Sequence, residues 1–335
     1  MSATVEETYE APKGKYLVDF YGDWARAEGV PVHESAGVVD LATAAVADWK
    51  RFGTKGAVAH LAGHCDFLTV FLLELSSAWS APQKHLYEEI CYVLSGAGET
   101  EIDLGGGRKN VIAWKPGSLF AAPMNATYRH RASGGGARIV AFNDLRYLIN
   151  LYRNETFLFA TPVNFPERGD GEVAHDLPTM PIGAGVWQNE RATAIALAKG
   201  SIGADAIDIP AGAYGQARRQ VFGSTLLCIA GEGMTVSWED ADGPRVKTMW
   251  KAGSIFAPQG IAFHQHFNLG ASPARLLRVE YGTAETPLVR PRMRAYGDTS
   301  VYASGLAEIA YKDEAPELKR DWLELLKQKG VQSRM

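Results

Sequence analysis

A histidine and two carboxylates lie close together in one strand-like stretch of the sequence, residues 82–98. Side chains of a strand alternate between two faces, so His85 and Glu89 point to the same face and Glu88 points to the other. An imidazole and a carboxylate that converge can bind a transition metal. Glu88 is expected to form a surface ion pair. The stretch ends in a glycine turn at Gly96, which indicates a β-hairpin.

The face that carries His85 and Glu89 also carries an amide, a tyrosine, a thiol and an aliphatic side chain. These residues are Gln83, Tyr87, Cys91 and Val93. A strand with this face turned inward would line a closed cavity with both polar and aromatic groups. The density of reactive side chains in so few residues predicts a functional site.

Short β-rich segments separated by Gly, Pro and Ser begin at residue 56 and continue through most of the chain. This texture is typical of a β-sandwich or β-barrel. An internal repeat then relates two parts of the chain, because three segments recur in the same order. The matching pairs, at offsets of 135, 136 and 137 residues, are 94–98 with 229–233, 114–121 with 250–257, and 137–140 with 274–277. The same domain is therefore expected twice.

The repeat and the change in texture predict five regions along the chain. They are an N-terminal arm with short helices (1–55), a first barrel with the candidate site (56–145), a linker (146–193), a second barrel (194–285) and a C-terminal extension with a helix (286–335). Helices are predicted at 18–29, capped by Asp19 and stopped by Gly29, and at 41–49, 145–154 and 315–330. The last has an apolar stripe of Leu318, Trp322, Leu325 and Leu326.

Residues 77–96 resemble the first motif of the cupin superfamily, which reads Gly, five residues, His-x-His, three or four residues, Glu, six residues, Gly. His85, Glu89 and Gly96 match this pattern, whereas Gln83 replaces its first histidine and Ser77 its leading glycine. Together with the repeat, the resemblance implies a mainly β bicupin. The expected fold is two tandem double-stranded β-helix (jelly-roll) barrels, with short N-terminal helices and a C-terminal helix.

The second cupin motif begins well at Gly117 and Pro123, but its histidine position falls on Tyr128. His130 lies two residues further on the same strand face, and alignment with the second copy places it with His266. The resemblance therefore implies His130 as the third ligand.

The implied site contains His85, Glu89 and His130 as ligands of a divalent transition metal. Fe(II) is expected first, with Mn, Ni and Zn as alternatives, because geometry and supply decide more than ligand type. Gln83 and Tyr128 are candidate catalytic residues beside the metal. Tyr128 and Tyr87 are alternatively part of the cavity wall.

The resemblance implies a metal-dependent oxygenase or dioxygenase that acts on a small phenolic or carboxylated substrate. Family members with such sites also include non-redox enzymes, so a lyase, isomerase or decarboxylase at the same metal is the alternative. A binding bicupin without turnover is a third possibility.

The second barrel lacks most of the metal motif. At the repeat offset, Gln83, His85 and Glu89 correspond to Arg218, Gln220 and Ser224. His264 and His266 remain, but without a carboxylate and beside Arg218 they make a poor metal site. A barrel kept for packing is expected here, with an anion pocket as the alternative.

Composition excludes several other classes of protein. The net charge of −4 and the pI of about 6.1 give no basic surface for nucleic acid or an anionic membrane. The first residues lack the pattern of a secretory signal, and no apolar run approaches the length of a membrane helix. Three cysteines without metal-like spacing are typical of a reducing compartment. A cytoplasmic protein, forming a homodimer or higher homo-oligomer, is expected.

Overall fold

The computed structural model describes residues 19–35, 37–61, 67–174, 176–183, 189–219, 224–239, 243–258, 262–281 and 307–335. Among the residues that the sequence singled out, Cys65 and Gln220 lie outside these ranges. Residues 1–18 of the predicted N-terminal arm and residues 286–306 of the predicted C-terminal extension also lie outside them.

Three of the four predicted helices are present. Asp19 caps the first, accepting a hydrogen bond from the Gly22 amide at 3.0 Å, and Gly29 follows its end with a φ of +70°. The last helix buries Leu318, Trp322 and Leu326, as its apolar stripe predicts. The described helices are α1 (Phe20–Ala27), α2 (Leu145–Tyr152), α3 (Glu155–Ala160) and α4 (Pro316–Gln328).

The helix predicted at 41–49 is wrong. The Asp40 carboxylate accepts a hydrogen bond from the Ala42 amide at 3.0 Å, which forms a turn in place of a helical start. The chain then enters a short strand, β3 (Ala47–Trp49), that pairs with the following strand. Sheet pairing and the capping side chain therefore override the helical preference of the alanines.

The first barrel is built from a larger and a smaller sheet. The larger sheet has the order β1-β4-β5-β11-β6-β9-β12, with β3 also paired to β4, and the smaller has the order β10-β7-β8. The β1–β4 pair is parallel, and the other pairs are antiparallel. The strands besides β3 are β1 (Val32–Ser35), β4 (Thr54–Leu61), β5 (Thr69–Leu75), β6 (Glu89–Ser95), β7 (Gly98–Gly105), β8 (Arg108–Trp114), β9 (Leu119–Ala121), β10 (Thr127–Ala132), β11 (Ala137–Asn143) and β12 (Glu172–Ala174).

The second barrel repeats this plan. Its sheets have the orders β13-β14-β21-β16-β19-β2 and β18-β17-β20-β15-β22. The strands are β2 (Val38–Asp40), β13 (Arg191–Ile195), β14 (Ile202–Ile209), β15 (Ala217–Arg219), β16 (Thr225–Ala230), β17 (Glu232–Trp238), β18 (Val246–Lys251), β19 (Ser254–Phe256), β20 (Phe263–Asn268), β21 (Ala274–Tyr281) and β22 (Ala307–Ile309). The described chain is thus mainly β with two barrels in tandem, as the sequence predicts.

Strands from outside the repeated segments extend both barrels. β2, from the predicted N-terminal arm, pairs with β19 of the second barrel, and β12, from the predicted linker, pairs with β9 of the first. The region boundaries drawn from the sequence stay a prediction.

The turn that follows β6 requires glycine. Gly96 has a φ of +77°, and a Cβ at this position would lie 2.3 Å from the Gly136 carbonyl oxygen. Gly231 follows β16 with a φ of +91°. A side chain at Gly96 would both strain the backbone and collide with the neighbouring chain. The turn is therefore present, but the predicted hairpin is wrong, because β6 pairs with β11 and β9 in the larger sheet while β7 pairs with β10 and β8 in the smaller one.

Alternation along β6 separates two cores. Cys91 and Val93 pack inside the first barrel, whereas Ile90 and Tyr92 join a cluster that includes Leu277 and other residues of the second barrel. The larger sheets of the two barrels therefore pack against each other. The face that the sequence assigned to the cavity does point inward.

Glu88 is not at the surface, contrary to the prediction, because it points into the junction between the barrels. It is 7% exposed and forms an ion pair of 2.8 Å with Arg168. Its carboxylate also accepts hydrogen bonds from the amides of Ser201 and Ile202 at 2.5 and 2.9 Å. Glu88 therefore ties the start of β6 to the start of β14.

Candidate metal centre

Tyr128 lies at the middle of the polar cluster inside the first barrel. Its hydroxyl oxygen is 2.7 Å from Nε2 of His85 and 2.6 Å from Oε1 of Glu89. Backbone hydrogen bonds between Tyr128 and Gln83, 2.8 and 2.9 Å long, fix the segment before β6 against β10. The two residues that strand parity predicted to converge, His85 and Glu89, are thus joined through this hydroxyl.

Both ring nitrogens of His85 have hydrogen-bond partners. Its Nδ1 is 2.8 Å from the Tyr87 carbonyl oxygen, and its ring stacks on the Tyr87 ring with centroids 3.4 Å apart. Burial lowers the pKa of His85 to about 3. The structure places His85 in the predicted cavity, but both ring nitrogens have partners, and its role as a ligand stays a prediction.

His130 is held by a short chain of hydrogen bonds. The Trp114 indole donates to Oγ1 of Thr100 at 2.9 Å, and Thr100 Oγ1 lies 2.7 Å from Nδ1 of His130. The Nε2 atom of His130 is buried without a hydrogen-bond partner. A threonine oxygen can accept from both the indole and Nδ1, which leaves the Nε2 lone pair available to a metal.

The same chain of hydrogen bonds recurs in the second barrel. There the Trp250 indole donates to Thr235 at 3.0 Å, and Thr235 lies 2.8 Å from Nδ1 of His266. His130 and His266 therefore occupy equivalent positions, as the repeat alignment predicted. The tryptophan and threonine were not recognised as part of the site from the sequence, although both recur at the repeat offset.

Glu89 supplies a second open ligand atom. Its Oε2 is buried without a hydrogen-bond partner, whereas Oε1 is close to Tyr128 and 3.5 Å from Sγ of Cys91. Burial raises the pKa of Glu89 to about 7, and the Tyr128 hydrogen bond opposes that rise. A carboxylate with one oxygen unsatisfied in a buried site is costly unless a cation or proton compensates it.

Glu89, Cys91 and His130 form the one group, within the described ranges, whose ligand atoms could hold a metal ion. These atoms all lie within 4.8 Å of one another, and all three residues are buried. The unpartnered atoms of Glu89 and His130 fit a bound cation. Strand parity placed Cys91 on this face, but Cys91 was not among the predicted ligands.

Gln83, the predicted stand-in for the first histidine, is 5% exposed. Its side-chain amide donates to the carbonyl oxygens of Arg51 and Ala81 at 2.8 and 3.0 Å. These bonds fix the backbone at the start of the site. A catalytic role for Gln83 stays a prediction.

The corresponding part of the second barrel contains an ion pair. Nη1 of Arg218 lies 2.5 Å from Oε2 of Glu190, and both side chains are buried. Ser224, opposite Glu89 in the repeat, is 3% exposed. The nearby His264 and His266 are also buried, and a guanidinium beside them disfavours a cation. This arrangement agrees with the expectation of a poor metal site.

The pair of histidines in the second barrel predicts acid sensitivity. Burial lowers the pKa of His264 and His266 well below the ordinary value, and Arg218 lowers it further. In the unfolded chain they titrate near pH 6.5, so at lower pH the unfolded state binds protons that the folded state does not. Stability is therefore full above about pH 6.5 and falls as pH decreases. We expect a loss of about 1.4 kcal/mol per histidine between about pH 7.5 and pH 5.5.

Urea unfolding at the two pH values measures the summed loss from all histidines whose pKa burial lowers, which also include His60, His85 and His130, so the share of one histidine comes from comparing wild type with a variant. In the His266→Gln variant the free energy of unfolding should fall by about 1.4 kcal/mol less between the two pH values than it does in wild type. This difference does not depend on the variant's stability at pH 7.5. A pH slope that is the same in wild type and variant would contradict the assignment.

The arrangement of two tandem barrels defines the chain as having the bicupin fold. No family model matches the sequence, and no curated protein matches it in a sequence search. Solved structures do match. No helix in the described part of the chain has the length and hydropathy to cross a membrane.

The similar structures include several of Bacillus subtilis oxalate decarboxylase. One, from a study of the Mn(II) centres of that enzyme, is 14% identical, covers 82% of this chain and 89% of that chain, and has a TM-score of 0.53. A mutant of the same enzyme is 15% identical with coverage of 80% and 83%, and the enzyme at pH 4.6 is 13% identical with coverage of 82% and 88%. Both have TM-scores of 0.53. At this identity the similarity shows a shared fold.

Proposed function

We propose that the chain is a metal-dependent enzyme that decarboxylates a small carboxylic acid inside the first barrel. The observation that carries the proposal is the pair of buried, unpartnered ligand atoms, Oε2 of Glu89 and Nε2 of His130. Buried polar atoms are usually paired, and two that belong to neighbouring acidic and imidazole side chains are suited to a shared cation. Both belong to a group whose ligand atoms are close enough to share one ion.

The similar structures support a decarboxylase over the dioxygenase that the sequence first suggested. They belong to an oxalate decarboxylase, and one is described by its Mn(II) centres. A divalent transition metal is therefore proposed, and the similar structures add support for Mn(II) as a candidate beside the Fe(II) first expected, with Ni and Zn as further alternatives. The substrate is proposed to be small, because aromatic side chains such as Phe71 and Phe120 fill much of the interior.

A bound divalent metal would act as a Lewis acid that polarises a substrate carboxylate. Glu89 and His130 would hold it. His85 and Tyr128 would lie beside it, and Tyr128 would donate the proton that a decarboxylation requires, because a proton must replace the departing carboxylate on carbon.

Hydrogen-bond accounting supports this role for Tyr128. The Tyr128 hydroxyl has one proton but two close neighbours, His85 Nε2 and Glu89 Oε1. His85 Nδ1 faces a carbonyl oxygen, which only accepts, so Nδ1 carries a proton. When Glu89 is protonated, it donates to Tyr128 and Tyr128 donates to His85. When Glu89 is ionised, Tyr128 donates to Glu89, and His85, kept neutral by its pKa of about 3, has its Nε2 lone pair facing the hydroxyl oxygen.

The two arrangements differ by the proton on Glu89 and by the partner to which Tyr128 donates. Cation binding requires the ionised form of Glu89, so the Glu89 proton is released to solvent. In the proposed reaction the bond to the carboxylate carbon breaks and carbon dioxide leaves. The electron pair stays on the remaining carbon, which takes a proton from Tyr128, and solvent then returns a proton to Tyr128. Tyr128 acts as a general acid beside the substrate, and His85 positions its hydroxyl.

The experiment that tests the function uses the full chain purified without chelator and loaded with Mn(II) or Fe(II). Oxalate and a panel of small carboxylic and phenolic acids are supplied, while carbon dioxide release and oxygen uptake are recorded together. We expect carbon dioxide release without matching oxygen consumption. Oxygen uptake equal to product would favour the oxygenase, and failure to bind metal would exclude both enzymes.

A substitution at Tyr128 tests the proton pathway. Tyr128→Phe should keep its metal, because Glu89 and His130 are unchanged, but should lose about 10²- to 10⁴-fold in the rate of carbon dioxide release. Tyr92→Phe is the matched control, since Tyr92 lies on the opposite face of β6. Metal content by elemental analysis and initial rates measure the two effects. Full activity in Tyr128→Phe would refute the role of the hydroxyl.

A further inference from the structure

The thiol of Cys91 lies beside Glu89 and His130, the two residues whose side chains carry the open ligand atoms of the first barrel. Cys91 follows Glu89 by two residues in β6, so both side chains point into the same interior. The residue is 2% exposed, and its Sγ is 3.5 Å from Oε1 of Glu89. Its sulfur, a Glu89 oxygen and a His130 nitrogen all lie within 4.8 Å of one another.

The remaining polar groups of this interior are less suited to complete a metal site. His85 has partners on both ring nitrogens, and the amide of Gln83 donates to two backbone carbonyl oxygens. By contrast, Glu89 Oε2 and His130 Nε2 lack any hydrogen-bond partner. Apart from the Tyr87 hydroxyl, the open atoms of this interior thus belong to the two residues that are grouped with Cys91, and not to the expected first and second histidine positions.

Cys228 is a second buried cysteine and serves as the comparison for Cys91. It is fully buried inside the second barrel, and its Sγ donates to the carbonyl oxygens of Ala230 and Gly231 at 3.5 Å each. It belongs to none of the groups, within the described ranges, that could hold a metal ion. The two cysteines therefore provide a matched pair within one chain.

We propose that Cys91 is a thiolate ligand of the metal, together with Glu89 and His130. The proposal rests on the proposed function, because it concerns the same metal. Binding would release the thiol proton to solvent, as metal binding to cysteine generally does. One sulfur, one oxygen and one nitrogen make a softer site than oxygen and nitrogen alone, which favours zinc or iron(II) over manganese(II). The ligand set would then set this chain apart from a protein with Mn(II) centres.

Zinc X-ray absorption spectroscopy on the full chain tests the ligand directly. After metal removal and reloading with one equivalent of Zn(II), wild type and Cys228→Ser should each show one sulfur neighbour at about 2.3 Å. Cys91→Ser should show only nitrogen and oxygen neighbours at about 2.0–2.2 Å and at least about tenfold weaker zinc binding. Competition between Zn(II) and Mn(II) should lose much of its preference for zinc in Cys91→Ser.

The outcomes separate the two proposals. A wild-type protein that holds one equivalent of zinc without a sulfur neighbour overturns the role of Cys91 and leaves the proposed metal enzyme standing. A wild-type protein that binds no zinc, iron or manganese overturns both. Because the wild-type spectrum alone gives the first answer, the test does not depend on the folding of Cys91→Ser. Cobalt(II) loading gives a second measurement on wild type, since a thiolate ligand adds a near-ultraviolet charge-transfer band.

Discussion

Glu89→Ala protein purified without chelator will contain less than about a tenth of the metal found in wild type. The substitution removes the one carboxylate of the proposed set, and its Oε2 is an open ligand atom in the first barrel. A carboxylate provides the negative charge that compensates a buried cation, which neutral imidazole cannot. Elemental analysis after reloading with Mn(II), Fe(II) or Zn(II) measures the loss. The effect on carbon dioxide release should be equally complete.

Ser224→Ala is the control for this loss. Ser224 corresponds to Glu89 in the second barrel and is similarly buried. Its removal should leave the metal content unchanged, because that barrel has an arginine where a ligand would be needed. Equal loss in the two variants would mean that the second barrel holds the metal. Unchanged metal in Glu89→Ala would remove the basis of the proposed site.

The internal repeat allowed most of the fold to be predicted. Three matching segments implied two equivalent barrels, and alternation along β6 identified which of its side chains point inward. These inferences depend on local spacing, which the sequence contains. The strand predicted from residue 82 begins only at Glu89, and Leu86, expected on the opposite face, packs against the same cluster as Tyr87. The helix predicted at 41–49 failed because a turn at Asp40 and pairing of β3 decide that segment. The turn is a local contact that the sequence could have indicated, whereas the pairing depends on the position of β4.

The site could be predicted only in part, because its hydrogen bonds join distant segments. His85, Glu89, Tyr128 and His130 do meet in one interior, as parity and the family resemblance indicated. Parity could not show that Tyr128 stands between His85 and Glu89. It also could not show that both ring nitrogens of His85 have partners while Nε2 of His130 has none. For this reason Cys91, and not His85, is proposed as the third ligand.

The ion pair of the second barrel was the least predictable feature. Arg218 was recognised at the repeat offset, but its partner Glu190 comes from the segment assigned to the linker. A carboxylate supplied from outside the repeat has no counterpart in the alignment. The backbone also approaches it closely, since a Cβ on Gly215 would lie 1.9 Å from Oε1 of Glu190. The second barrel thus contains a buried ion pair, whereas in the first barrel Glu89 and His130 belong to a group that could hold a metal ion.

This difference predicts that Glu190→Gln will destabilise the fold without affecting the metal. Arg218 and Glu190 are 3% and 0% exposed at their side chains, so removing the carboxylate leaves a guanidinium buried beside two histidines with less compensating charge. Loss of one partner of a buried pair costs about 3–5 kcal/mol. Urea unfolding at neutral pH measures the free energy of unfolding, and metal content should match wild type.

Two further variants identify the cause of that loss. Asp321→Asn breaks an ion pair with Lys247 in which the side chains are 36% and 43% exposed, and should cost less than about 1 kcal/mol. Replacing both members of the buried pair, as Glu190→Gln with Arg218→Met, should recover much of the stability, since the uncompensated charge is then gone. A loss in Glu190→Gln as small as that in Asp321→Asn would show that the pair does not stabilise the barrel. Metal loss in Glu190→Gln would instead show that the metal site depends on the second barrel. The contacts of Glu88 between the barrels would then transmit the defect to the start of β6.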